Sequence, residues 1–218
     1  MIGTHGTTGD APGADPLAAI AAYWQDLRGT RQAPRRSEID PRAIADALAC
    51  ALLIEQGAAD DDGTQPVPRI RLAGRHICAL MGMELRGMPV HALIATPDRP
   101  RFAAAIARVF AAGAALDLAL CTPPGESPRL TARMILLPLA DDQGGLTRAI
   151  GGLRAQGLTG APPRRFVLTG AGTAGNLPFP LPAAAQRPAR PGFHERVPVF
   201  EARAHPRAPH LRLVKTDS

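Results

Sequence analysis

Between Arg69 and Pro89 the chain reads Arg-Ile-Arg-Leu-Ala-Gly-Arg-His-Ile-Cys-Ala-Leu-Met-Gly-Met-Glu-Leu-Arg-Gly-Met-Pro, and the succession of periods here restricts the fold more than any other stretch. Ile70 and Leu72 alternate with Arg69 and Arg71, the pattern of a strand wetted on one face, until Gly74 breaks it. Ile77, Leu80 and Met81 then fall at helical spacing, Gly82 stops the turn, and Gly87 with Pro89 forces another change of direction. Strand, glycine, short helix, glycine, proline is an unusual order.

The flanking segments extend it. Asp15 is placed to cap a helix with Pro16 in its first turn, carrying Leu17, Ile20, Trp24 and Leu27 as one apolar stripe and ending at Gly29. The Trp is the only one in the chain and reads as a packing anchor. Asp40 and Pro41 repeat the cap signal for a second helix to about Leu48, with Ile39 and Ile44 as a hydrophobic staple. Residues 51–55 read as a first strand, and the loop from Gly57 to Pro68 carries Asp60, Asp61 and Asp62, a solvated turn without calcium-loop spacing. After the central stretch a longer helix begins at Thr96 and carries Phe102, Ile106, Val109 and Phe110 to a stop at Gly113. Three strands follow, at Leu116–Leu120, Arg129–Leu139 and Leu146–Arg154, and Pro138 is expected to lie outside the ladder.

Two strands, helices and three strands is the order of a PAS domain, and the residues support the resemblance. Ile70-Arg71-Leu72-Ala73-Gly74 and Glu84-Leu85-Arg86-Gly87 resemble the PAS pattern of a Phe-Arg-Leu-Ala-Gly strand, a short helix and Glu-Leu-x-Gly. Tyr23 to Gly29 and Ser37 to Pro41 resemble the opening of PAS family 5, a bacterial subfamily. The resemblance implies an α+β fold: a five-stranded antiparallel sheet with helices on one face, and two N-terminal flanking helices. The expected organisation is a disordered N-terminus over residues 1–14, the PAS-like domain over 15–158, and a disordered Pro/Ala/Arg-rich tail over 159–218. Two apolar islands in the tail, Phe166-Val167-Leu168 and His210 to Val214, are candidates to dock onto the domain or a partner.

Composition excludes several classes of function. Cys50, Cys78 and Cys121 are odd in number and far apart, so no disulfide framework or structural zinc site is indicated. No apolar run approaches the ~20 residues of a membrane helix, and the first residues lack signal-peptide features, so a cytoplasmic location without membrane insertion is expected. The net charge of +6 lies wholly in the tail: residues 1–159 hold sixteen Arg and sixteen acidic residues, residues 160–218 nine basic and three acidic. Binding of nucleic acid or an anionic surface is an alternative reading for that tail. Its low charge density and lack of aromatic interleaving support weak association at most.

No nucleophile elbow, phosphate loop, zinc helix or dinucleotide fingerprint is present, so no catalytic residue, metal or enzyme activity is assigned. The resemblance bears on cofactors too. Haem-binding PAS domains generally take a His from the long helix, where residues 101–108 have none. Flavin-adduct PAS domains use Asn-Cys-Arg-Phe-Leu, whereas Cys78 stands in His-Ile-Cys-Ala-Leu. No cofactor is therefore expected. A small apolar ligand could sit between helices and sheet, lined by Ile77, Leu80, Met81, Phe102, Ile106, Leu118, Met134 and Leu153. The stripe of Leu17, Ile20 and Trp24 is the candidate surface for a homodimer. The chain is expected to be a non-enzymatic sensory or adaptor module of bacterial signalling, acting through a signalling protein partner.

Overall fold

Asp15 starts the first helix as its side chain predicts: Oδ1 accepts the Leu17 N–H at 3.1 Å, and α1 (Pro16–Arg28) runs to Gly29. The computed structural model describes residues 15–57, 67–169 and 173–174. The N-terminus, the Asp60–Asp62 turn, and the tail from residue 170 apart from 173–174 lie outside the described residues, as does the His210–Val214 island. Asp40 also caps, accepting the Arg42 N–H at 3.0 Å, but the segment it opens, Pro41–Cys50, is a 3-10 helix broken at Ile44. Its buried residues, Ile44 and Ala47, are three apart, the spacing a 3-10 helix stacks on one side.

β1 (Ala51–Glu55), β2 (Arg69–Ala73), α2 (Arg75–Met81), α3 (Arg99–Ala112), β3 (Leu116–Cys121), β4 (Thr131–Ala140) and β5 (Leu146–Gln156) follow, with β6 (Val167–Leu168) and β7 (Thr173–Ala174) beyond them. The sheet is antiparallel in the order β2-β1-β5-β4-β3, and β6 and β7 pair with the outer edge of β3. Five long strands were expected; the two short ones are additional.

The sheet is buried on both faces. Leu52, Ile54, Met134, Leu136, Ala149 and Leu153 face α2 and α3, while Ala51, Ile135, Leu137, Leu139 and Ile150 face α1 and the 3-10 helix of Pro41–Cys50. This explains why β4 reads as an unbroken apolar run: a strand covered on both sides has no wet face to show period two. α1 approaches the sheet closely because Gly152 lies beneath it, where a Cβ would stand 2.7 Å from both Leu17 Cδ2 and the Cys50 carbonyl oxygen.

Two strand expectations are corrected. Leu72 is 47% exposed, because the β1–β2 register shifts between Leu53 and Ile54 and pairs Leu72 with Leu53, on the opposite face from Ile54 and Ile70. Pro138 lies inside the ladder, paired with Ala149 of β5. It is tolerated because β3 on the other side extends only to Leu116, opposite Leu136, so no N–H is required there.

Gly74 ends β2 where the backbone of the 3-10 helix crosses it. A Cβ at this position would stand 2.2 Å from the Leu48 carbonyl oxygen and 2.3 Å from that of Ala49. The Ala-Gly of the central stretch is thus a packing requirement between two backbones. Gly82 ends α2 in the left-handed conformation at φ 70°.

Candidate functional site

All eight residues proposed to line a ligand pocket come together. Ile77, Leu80, Met81, Phe102, Ile106, Leu118, Met134 and Leu153 belong to one cluster, and none is more than 2% exposed. They converge because α2 and α3 each present residues at helical spacing to the alternate residues of β3, β4 and β5. The cluster is a contiguous buried core, joined by Leu85, Val90, Leu93, Ile94 and Phe166, which the sequence reading did not include. Phe166 had a signal, its place in an apolar island. Nothing local marked it as interior.

Open space lies at the flank of this core. A groove of about 320 Å³ runs along α3, with Phe102 and Ile106 on its floor beside Val90, Phe110 and Pro68, and with His91 and Gln56 as polar groups. Phe102 and Ile106 are the two of the eight that border it.

On the opposite face the stripe of Leu17, Ile20 and Trp24 is corrected as an interface. These residues are 3% exposed or less and pack on β4 and β5 of the same chain. Trp24 Nε1 donates to the Pro138 carbonyl oxygen at 2.7 Å, and the Arg28 guanidinium lies 5.2 Å from the Trp24 ring centroid.

Charged groups gather at one end of β4 and β5. Arg133 holds Asp117 at 2.6 Å and Asp15 at 3.5 Å, and Arg154 lies 3.8 Å from Asp15. Hydrogen bonding to Asp117 is the main cause raising the Arg133 pKa. Two hollows of about 380 Å³ share Arg154 and Gln156, one beside Asp15 and Thr131, the other beside Cys50 and His76. His76 Nε2 accepts the Ala155 N–H at 3.0 Å, just beyond the place where β1 leaves the edge of β5. Burial, then the charge of Arg154, lowers the His76 pKa, and burial raises that of Cys50. A high-pKa thiol beside an imidazole already used as an acceptor is not an activated nucleophile. Among the described residues no group of three or more His, Cys, Asp or Glu could hold a metal ion.

The family model described as PAS domain, that of PAS family 5, matches residues 14–154, more than half of the chain. The chain belongs to the PAS domain family. Comparison with curated proteins gives no match. Solved structures that are similar include the dark structure of the Aureochrome1 LOV blue-light photoreceptor (16% identity, TM-score 0.40, covering 53% of this chain and 81% of that one). Others are an RNA-binding light-oxygen-voltage receptor (19%, 0.40, 56% and 35%) and a PAS domain from Colwellia psychrerythraea (16%, 0.38, 53% and 95%).

Between α2, α3 and the sheet the side chains form one buried apolar cluster, and the buried polar side chains among the described residues, Thr122 and Arg164, are engaged elsewhere in hydrogen bonds. Cys78 lies outside the cluster, with Sγ 3.7 Å from the Ala73 carbonyl oxygen and 3.9 Å from Glu84 Oε2.

Proposed function

We propose that this chain is a non-enzymatic PAS-type sensory or adaptor module of bacterial signalling that passes its signal on by contact with a partner protein. The observation that carries this reading is the PAS family match over residues 14–154, with eight apolar side chains from α2, α3, β3, β4 and β5 in one buried cluster between helices and sheet. The groove along α3 supports a second reading, that of a small apolar ligand bound at the surface, since its floor is Phe102 and Ile106 and its polar groups are few.

The test is purification from the native host, followed by an absorption spectrum and mass spectrometry under native conditions. A colourless protein that co-purifies with another protein is expected. A visible-region chromophore would overturn the adaptor reading, and recovery of neither partner nor ligand would remove the signalling proposal.

A further inference from the structure

The family match ends at residue 154, yet the chain does not leave the domain there. After Leu158, which is 80% exposed, and a short connection containing Gly160 at φ 68°, residues 162–169 return across the surface between β3 and the segment Leu93–Asp98. The tail expected from residue 159 is thus corrected over its first part. Main-chain bonds hold this strap on both sides. Phe166 N–H donates to the Leu93 carbonyl oxygen at 3.0 Å, Ala95 N–H to that of Phe166 at 2.8 Å, and Thr169 N–H to that of Ala119 at 2.9 Å. The Leu168 N–H donates to Asp98 Oδ2 at 2.7 Å, and Arg164 N–H donates to the Leu80 carbonyl oxygen at the end of α2 at 2.8 Å.

Two side chains anchor it. Phe166, fully buried, enters the cluster of α2, α3 and the sheet. Arg164, 5% exposed, donates to the carbonyl oxygens of Ser127 and Pro128 and stands 3.7 Å from Glu126. Pro162 packs over Gly82, where a Cβ would lie only 2.8 Å from its ring. An extended segment held by main-chain bonds to a strand edge, with alternate side chains in pockets, is how proteins recognise peptides by strand addition.

We infer that the β3 edge and the seats of Phe166 and Arg164 form a peptide-recognition site, whose built-in occupant is residues 162–169. A partner offering an extended Arg-x-Phe-x-Leu segment displaces that occupant. Three features favour release over permanent incorporation. The strap lies outside the matched domain, its link is exposed, and Arg164 Nε is buried without a hydrogen-bond partner, a desolvation penalty that release would relieve. Tethering gives the occupant a high effective concentration, so the site stays closed until a partner competes. This inference rests on the reading of the chain as an interaction module and names the chemistry of its partner.

A specific protease site placed between Leu158 and Thr159 of the full chain allows the strap to be cut after folding. The cut protein is expected to keep its far-UV circular dichroism and to exchange its strap for a labelled synthetic peptide of residues 159–172, with saturable anisotropy. Peptides carrying Phe166→Ala or Arg164→Ala should bind at least about tenfold more weakly, and the uncut protein should bind the parent peptide far less. Loss of structure on cutting would show the strap to be integral core, and absence of exchange, or equal binding of the altered peptides, would also overturn the proposal. Partner capture from the host reads the module assignment separately, so either can fail alone.

Discussion

Trp24 and Pro138 are 114 residues apart in sequence, and the indole Nε1 of the first donates to the carbonyl oxygen of the second at 2.7 Å. The pair closes a gap in the sheet. β3 does not reach Pro138, the proline supplies no N–H, and the indole donates to the carbonyl oxygen that β3 leaves without a donor. Trp24→Phe keeps a ring on β4 but removes the donor from a buried site, so unfolding free energy should fall by about 1–3 kcal/mol. Denaturant titration measures it, and an unchanged midpoint would show that the bond contributes nothing.

Burial of Ile20 against β5 gives a different outcome from that of a dimer contact. Ile20→Asp places a carboxylate among Leu17, Ala47 and Ile150 and should destabilise by more than about 3 kcal/mol. The loss should be the same at low and high protein concentration. A concentration-dependent loss would return the stripe to the role of an interface.

At Gly74 the conflict created by a Cβ is with two backbone carbonyl oxygens, which cannot turn aside as a side-chain tip can. Gly74→Ala should therefore lower stability by at least about 1–3 kcal/mol, the usual range for overpacking. Thermal unfolding is the measurement, and a neutral result would show that the 3-10 helix can slide away from β2.

The His76 pKa is depressed in the folded protein, chiefly by burial and then by Arg154, while Nε2 accepts a main-chain N–H. Below the unfolded value of 6.5 the unfolded chain binds more protons than the native one, so the stabilisation is complete above pH 6.5 and is lost as the pH falls beneath it. His91, lowered by burial and Arg99, acts in the same direction. His76→Gln should flatten part of the decline in stability below pH 6.5, and His91→Gln a further part. A slope unaffected by His76→Gln would mean that the imidazole is not neutral in the native state.

The local parts of this protein were legible because their causes are local. Asp15, Pro16 and Gly29 bound α1, Gly82 and Gly113 end α2 and α3 at positive φ, and the eight interior residues repeat at the spacing of one helix face or one strand face. The succession of strands and helices along the chain follows from such periods, whereas membership of the PAS family rests on the match over residues 14–154. The entry of Phe166 into the cluster from beyond the matched region was not legible, since no local period marks a contact of that range.

Pairing across the sheet decided the rest. Ile70 and Leu72 look alike in sequence, but the shifted β1–β2 register buries one and exposes the other. The stripe of α1 identifies an apolar face without identifying its partner, and only the close approach of Leu17 and Ile20 over Gly152, with Ile135, Leu137 and Ile150 in the same cluster, shows that the partner is the chain's own sheet. Sequence by itself determined where the elements start and stop and which of their faces are apolar; the tertiary structure determined which of those side chains leave water and against what, because that depends on strand register and on contacts between residues more than a hundred positions apart, such as Trp24 and Pro138.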